Sequence, residues 1–191
     1  MPQTFFISDT HFGHSNIILY SKRPFANVDD MNEKMIAAWN TLVKPEDDIY
    51  HLGDFAFMKP GPLWSLLWRL QGKKHLILGN HDKYIIDNWD ELLDRGAFAS
   101  IQYYRELKVA GKMLCLFHFG QRVWNKSHRG SIHLYGHSHG SLPPHGLSVD
   151  VGVDCKEITS DYRPIHLTEV LDYMSKREKA VVDHHGMSDE D

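Results

Sequence analysis

Short apolar runs in this 191-residue chain end, time after time, in aspartate, asparagine or histidine. Each run has four to six residues and reads as a buried strand, and the first, Thr4-Phe5-Phe6-Ile7, is rich in aromatic and β-branched side chains. The polar clusters that follow the runs are Asp9-Thr10-His11, Gly53-Asp54, Gly79-Asn80-His81-Asp82, His118 and Gly136-His137-Ser138-His139. Because functional groups in α/β sheets gather beyond the carboxyl ends of strands, we expect these side chains to converge on one region.

The first half of the chain alternates predicted strands with predicted helices. Strands are expected at residues 4–7, 48–52 and 74–78. A helix begins after Asn27 and is stopped by Pro45, a second runs from Pro60 to Gly72, and a third covers about 84–94. Helical crossovers between strands favour a parallel sheet and an α/β fold.

The second half is richer in predicted strands, at residues 101–104, 106–109, 113–117, 132–135 and 148–153. Ala110-Gly111 reads as a hairpin turn, and we expect this half to be largely antiparallel, giving two packed sheets. A last helix is predicted over 168–181. We expect one domain over residues 1–182 and a disordered polar, acidic tail over 183–191.

Composition limits the classes of function. The chain is 42% hydrophobic and 24% charged, and its net charge of -4 disfavours a stable complex with nucleic acid. No apolar stretch approaches the roughly 20 residues that cross a bilayer, and the N-terminus lacks the basic segment of a signal peptide. Cys115 and Cys155 form no disulfide framework and read as buried thiols, so we expect a cytoplasmic protein without a membrane partner.

The clustered side chains match the chemistry of a two-metal site. Carboxylate, amide and imidazole ligands suit labile divalent ions, and such a site needs one carboxylate to bridge ions about 3.5–4 Å apart. In Asp9-x-His11 and His137-x-His139, residues two apart share one face of an extended chain. The predicted ligands are Asp9, His11, Asp54, Asn80, His118, His137 and His139.

In this order and spacing, the five clusters resemble the calcineurin-like metallophosphoesterase superfamily, in particular its small uncapped bacterial and phage members. The resemblance spans Phe5 to about Asp154 and implies a four-layer α/β/β/α sandwich of two mixed sheets flanked by helices. It also implies that Asp9, His11, Asp54 and His139 hold one metal. Asp54, Asn80, His118 and His137 would hold the other, with Asp54 as the bridge.

A catalytic mechanism follows from this ligand set. A hydroxide formed from water at two divalent ions would attack phosphorus, with Mn²⁺ expected ahead of Fe, Zn, Ni or Co. His81, beside the ligand Asn80, is the expected general acid for the leaving oxygen, and Asp82 could orient its imidazole.

Substrate contacts are predicted from residues near these clusters. His14 shares the loop of the first cluster and could contact phosphate or only hydrogen-bond within the loop. Arg23 could contact phosphate, although a solvated surface arginine is the favoured alternative. Arg122 could hold a phosphate while Trp124 stacks on a base, or the tryptophan could pack on the sandwich.

We therefore expect a metal-dependent phosphoesterase that favours diesters and acts on a small substrate such as a nucleotide. An uncapped site without an arginine fork suits a diester better than a dianionic monoester. The alternatives are a nuclease or end-processing enzyme and, less favoured because all the ligands are present, a non-catalytic scaffold. The sequence leaves the substrate, the metal and the oligomeric state open.

Overall fold

A computed structural model of the chain describes residues 2–158 and 161–180. It confirms the α/β fold with two mixed sheets flanked by helices. Within the described residues, no helix combines the length and apolar character needed to cross a membrane. The predicted tail at 183–191 lies outside these residues.

The first sheet has five strands in the order β4-β3-β2-β1-β9. Strands β1 to β4 are mutually parallel, as the alternation of strands and helices predicts, and β9 pairs antiparallel with β1. The strands are β1 (Thr4–Ile7), β2 (Asp48–His51), β3 (Lys73–Ile77), β4 (Ser100–Gln102) and β9 (Ile165–His166).

Five helices lie in the connections between these parallel strands: α1 (Ile17–Tyr20), α2 (Val28–Leu42), α3 (Pro60–Arg69), α4 (Lys83–Asp87) and α5 (Trp89–Asp94). Helix α2 begins as predicted, because the Asn27 side chain accepts a hydrogen bond from the Asp30 amide at 2.9 Å. The expected single helix at 84–94 is divided at Asn88, which belongs to neither α4 nor α5. Buried residues of α2, α3, α4 and α5 share one apolar core with side chains of the first sheet, among them Phe5, Ile7 and Ile49.

The second sheet has four strands in the order β5-β6-β7-β8: β5 (Tyr104–Val109), β6 (Lys112–Phe117), β7 (Ile132–Tyr135) and β8 (Ser148–Asp150). Only the β5–β6 hairpin is antiparallel, whereas β6, β7 and β8 are mutually parallel. The expectation of a largely antiparallel second half is therefore wrong. Parallel neighbours need connections of about a dozen residues or more, and 118–131 and 136–147 are that long. The only helix in these two connections is the short 3₁₀ helix Ser127–Arg129. The sequence there therefore has no helical periodicity from which a parallel crossover could be predicted.

A second apolar core lies between the two sheets. Phe6, Tyr50 and Ile77 of the first sheet face Leu116 and Leu134 of the second. Helix α6 (Leu167–Ser175) adds Leu167, Val170 and Met174 to this core. It ends before the predicted boundary because the following residues, Lys176 to Lys179, are all charged and offer no apolar face.

Truncating a side chain between the sheets tests this packing. Leu116 is fully buried in the inter-sheet core, so Leu116→Ala should lower the free energy of unfolding by about 2–5 kcal/mol. Leu142, which is 45% exposed, is the matched control, and Leu142→Ala should change it by less than about 0.5 kcal/mol. Urea denaturation followed by circular dichroism measures both. Equal, small losses would mean that the sheets do not pack through Leu116.

Candidate metal centre

The predicted clusters meet at one edge of the molecule, where strands of both sheets end. Asp9, Asp54 and Asn80 follow β1, β2 and β3 of the first sheet, and His118 and His137 follow β6 and β7 of the second. A parallel bridge between Ser8 and Gly152 joins the two sheets at this edge. The parallel order of β6, β7 and β8 is therefore what brings the histidines of the second sheet to the aspartates of the first.

Six of the seven predicted ligands form two compact groups. The first group comprises Asp9, His11 and His139, and the second comprises Asp54, His118 and His137. Within each group, one potential ligand atom from every residue lies within 4.8 Å of the others. Asn80, the seventh, places its Oδ1 atom 3.0 Å from His118 Nε2 and so adjoins the second group.

Asp54 belongs to the second group and also adjoins the first. Its Oδ2 atom is 3.7 Å from His11 Nε2 in the first group, and its Oδ1 atom is 3.6 Å from His118 Nε2. The carboxylate is almost completely buried. One oxygen therefore faces His11 of the first group and the other faces His118 of the second, which is the position a bridging ligand needs.

Unpartnered polar atoms in the first group fit a bound cation. His11 is buried, and neither of its ring nitrogens has a hydrogen-bond partner. Burial, followed by the nearby His139, lowers the pKa of His11 to about 2, so the ring is neutral and keeps a lone pair to donate. Burial also raises the pKa of Asp9 well above its usual range, with Asp150 and Asp54 adding to the rise. A divalent cation would satisfy His11 and offset this crowding of carboxylates.

The second group also fits a cation. His118 Nδ1 lies 2.7 Å from the Leu52 carbonyl oxygen, which can only accept, so Nδ1 carries the proton. Burial lowers the pKa of His118, so the ring is neutral and its Nε2 is an acceptor. Nε2 and Asn80 Oδ1 are then two acceptors facing each other at 3.0 Å, an arrangement that a metal ion between them would stabilise.

The loops that carry these side chains hold a strained backbone. Positive φ angles between 48° and 66° occur at five of the predicted ligands: Asp9, His11, Asp54, His137 and His139. Residues with a side chain adopt this left-handed region at a cost of about 1–3 kcal/mol and tend to do so at functional sites. Backbone hydrogen bonds across the strands hold the first two loops in place, from Asp9 to Gly53 and from His11 to Asp54.

Asp154 orients His139, one of the predicted ligands, a role that the sequence prediction did not assign. Its Oδ2 atom lies 2.7 Å from His139 Nδ1, which leaves Nε2 of that histidine for a metal. Burial alone would lower the pKa of His139, but Asp154 and Asp9 outweigh it and raise the pKa. Asp154 could have been found from the sequence, because it follows a predicted strand, as the predicted ligands do.

The structure corrects both expectations for Arg23. The side chain is buried rather than solvated, and each of its five N–H donors has a partner. Nε and Nη2 donate to Asp154, Nη2 also donates to the Asp9 carbonyl, and Nη1 donates to the Thr10 carbonyl and the Met31 sulfur. Arg23 therefore has no donor left for phosphate, and it fixes Asp154 instead.

Asp82 also differs from its predicted role, because its buried carboxylate makes no hydrogen bond to the His81 ring. It accepts hydrogen bonds from the backbone amides of Asp54, Phe55 and Gly79 at 2.8–3.0 Å. Burial raises its pKa, although these amides act in the opposite direction. Asp82 thus holds the Asp54 loop against the Gly79 loop.

His81 remains exposed at the centre, where an acid could reach a substrate. Its backbone amide donates to Asp54 Oδ1 at 2.9 Å, and its ring centroid lies 5.9 Å from that of His11 and 5.0 Å from that of Phe57. His14 lies on the same side, with its ring stacked 4.2 Å from Phe57 and 5.6 Å from His11. Both residues therefore border the first ligand group.

The other two predicted substrate contacts are not brought to the ligand groups. Trp124 is only 7% exposed, and its Nε1 donates to the Ser131 carbonyl while its ring packs near His133. The packing alternative is thus the one observed. Arg122 is exposed and makes no contact with the predicted ligands within the described part of the chain.

Known proteins resemble this chain in fold. No protein-family model matches the chain. Its fold resembles the crystal structure of AQ665 from Aquifex aeolicus, a protein of unknown function, with a TM-score of 0.68, 25% identity, and coverage of 90% of this chain and 99% of that one. It also resembles an archaeal phosphodiesterase, with a TM-score of 0.51, 18% identity, and coverage of 82% and 87%. The chain therefore has a fold that is also found in an archaeal phosphodiesterase.

Two protein sequences are similar over most of the chain. The uncharacterized protein MJ1445 of Methanocaldococcus jannaschii is 30% identical, and the match covers 92% of this chain and 93% of that protein. The gene 66 protein of Mycobacterium phage L5 is 26% identical, over 81% of this chain and 87% of that one. The chain belongs to the same protein family as MJ1445.

A methyl group placed at Gly79 tests whether close packing sets the position of Asp54. A Cβ atom there would overlap the Asp54 carboxylate and amide, so Gly79→Ala should weaken metal binding by about 10–100-fold. Gly61→Ala is the matched control, because its Cβ would meet nothing within 4 Å. Titration of stripped protein with Mn²⁺ measures affinity, and circular dichroism checks folding. Wild-type affinity in folded Gly79→Ala would refute the packing argument.

Proposed function

We propose that this chain is a metal-dependent phosphoesterase that hydrolyses phosphodiesters at a pair of divalent ions. The observation that carries the proposal is the position of Asp54, which directs one oxygen toward each of two adjoining ligand groups. The fold, which is also that of an archaeal phosphodiesterase, is compatible with this function.

The ligand assignment is part of the proposal. Asp9, His11 and His139 would hold one ion, and Asn80, His118 and His137 the other, with Asp54 shared. The donor set contains carboxylate, amide and imidazole but no thiolate, which favours Mn²⁺ first and also admits Fe, Zn, Ni or Co. Asn80 supplies an oxygen without a negative charge, so the second ion would remain electrophilic.

Once bound, two such ions lower the pKa of water and neutralise charge on the phosphoryl oxygens. The protein side chains supply orientation and proton transfer. Arg23 and Asp154 fix His139, while Asp82 fixes the loops that present Asp54 and Asn80. The exposed His81 imidazole is free to protonate the leaving oxygen.

The state of Arg23 favours a diester over a monoester. A dianionic monoester gains most from a guanidinium fork. Arg23 lies beside the first ligand group, but its donors are all engaged within the protein. The half-buried His14 imidazole and the exposed His81 imidazole suit a monoanionic phosphodiester better. We propose a small phosphoester, such as a nucleotide derivative, rather than a stable nucleic-acid complex.

Metal removal and return test the function directly. Protein stripped with a chelator should lose hydrolysis of ethyl p-nitrophenyl phosphate and regain it with Mn²⁺. The same preparation should hydrolyse p-nitrophenyl phosphate, the monoester, with a lower kcat/KM. Full activity in stripped protein, or a preference for the monoester, would contradict the proposal.

The role of His81 is tested with two leaving groups. A nitrophenolate leaves without a proton, whereas an alkoxide needs one, so His81→Ala should slow an alkyl diester about 10²–10⁴-fold and a nitrophenyl diester far less. Metal content, measured on the same protein, should stay at the wild-type level. Equal losses on both esters would mean that His81 positions phosphate or stabilises charge instead of donating a proton.

A further inference from the structure

An open cavity of about 670 Å³ adjoins the first ligand group. His11, His81 and His139 form its inner wall, and Tyr20 and Lys156 line it farther along. This volume lies within the range of about 300–1,000 Å³ that is usual for small-molecule sites. One ester arm of a bound phosphodiester could therefore extend from the ligands into the cavity.

Tyr20 presents an aromatic ring to this cavity. Tyr20, at the end of helix α1, is 72% exposed, and its ring centroid lies 6.2 Å from that of His14. The next residue, Ser21, places Oγ 3.4 Å from His139 Nδ1, which fixes the position of the segment relative to the ligands. An exposed aromatic face beside a phosphate site is a stacking surface for a base.

Lys156 presents a positive charge to the same cavity. It lies two residues after Asp154, whose carboxylate is bonded to His139, so its backbone is anchored beside the first ligand group. Its side chain is exposed and has no carboxylate partner within salt-bridge distance among residues 2–158 and 161–180. A lysine in this state can act as a point charge for a phosphate.

We propose that the cavity selects a nucleoside ester that carries a second phosphate, with the base on Tyr20 and the second phosphate on Lys156. This inference rests on the proposed function for the position of the scissile phosphate. Two kinds of molecule share the chemistry: an ester of a nucleoside diphosphate and a 5′-phosphorylated dinucleotide. Their single common requirement is an aromatic base next to a phosphate that is not cleaved.

Matched esters test the base. Thymidine 5′-p-nitrophenyl phosphate and ethyl p-nitrophenyl phosphate share a leaving group and differ only in the other arm. Tyr20→Ala should raise KM for the thymidine ester by about fivefold or more and change KM for the ethyl ester far less. Tyr20→Phe should restore the thymidine KM. Tyr103→Ala, which removes an aromatic side chain that is 56% exposed and outside the cavity, should change neither.

Substrates with a second phosphate test Lys156. Lys156→Met should raise KM by about tenfold for the p-nitrophenyl ester of thymidine diphosphate or for 5′-phosphorylated dithymidylate, and much less for the thymidine monophosphate ester. The diester with the larger rise identifies which of the two molecules fits. Lys108→Met, at an exposed lysine on β5, is the control. Equal effects of Lys156→Met on all three esters would overturn the proposal.

Binding separates this inference from the proposed function. In calorimetry with Mn²⁺-loaded protein, thymidine diphosphate should bind more tightly than thymidine monophosphate, and Lys156→Met should remove the difference. That pattern in a protein without any esterase activity would support the cavity assignment and refute the proposed function. Turnover of simple diesters with no preference for the diphosphate in wild-type protein would refute the cavity assignment alone.

Discussion

The buried carboxylate of Asp54 contacts imidazoles on two sides, and the loops at the edge where both sheets end depend on its position. Its backbone amide donates to Asp82, and its Oδ1 accepts from the His81 amide, so the loops after β2 and β3 are fixed to each other. The residue has a φ angle of 55°, and Gly79 packs too closely for any Cβ. The surrounding loops therefore hold Asp54 in a conformation that it would not otherwise favour.

The topology explains how so many ligand-type side chains reach this point. Three parallel strands of the first sheet and three of the second end at the same edge, and the bridge between Ser8 and Gly152 joins the sheets there. Arg23 and Asp154 then connect the loop after β1 to the loop after β8 through His139. Hydrogen bonds and ion pairs buried beside the centre position the predicted ligands, whereas His81 stays exposed.

Prediction from the sequence succeeded where the signal was local. The apolar runs and the N-cap at Asn27 located the strands and helix α2, and the clusters after the strands foretold which side chains would meet. The strand direction in the second sheet had no local signal, because the connections between β6, β7 and β8 show no helical periodicity in the sequence. Most partners of Arg23, Asp82 and Asp154 lie 13 to 131 residues away in sequence, so these contacts required the folded chain.

A crystal structure of the Mn²⁺-loaded protein, with anomalous scattering recorded at the manganese edge, tests the central claim most directly. The account predicts two anomalous peaks about 3.5–4 Å apart, with Asp54 bonded to both and His11 and His118 on opposite sides. One isolated peak, or two peaks that do not share Asp54, would contradict it.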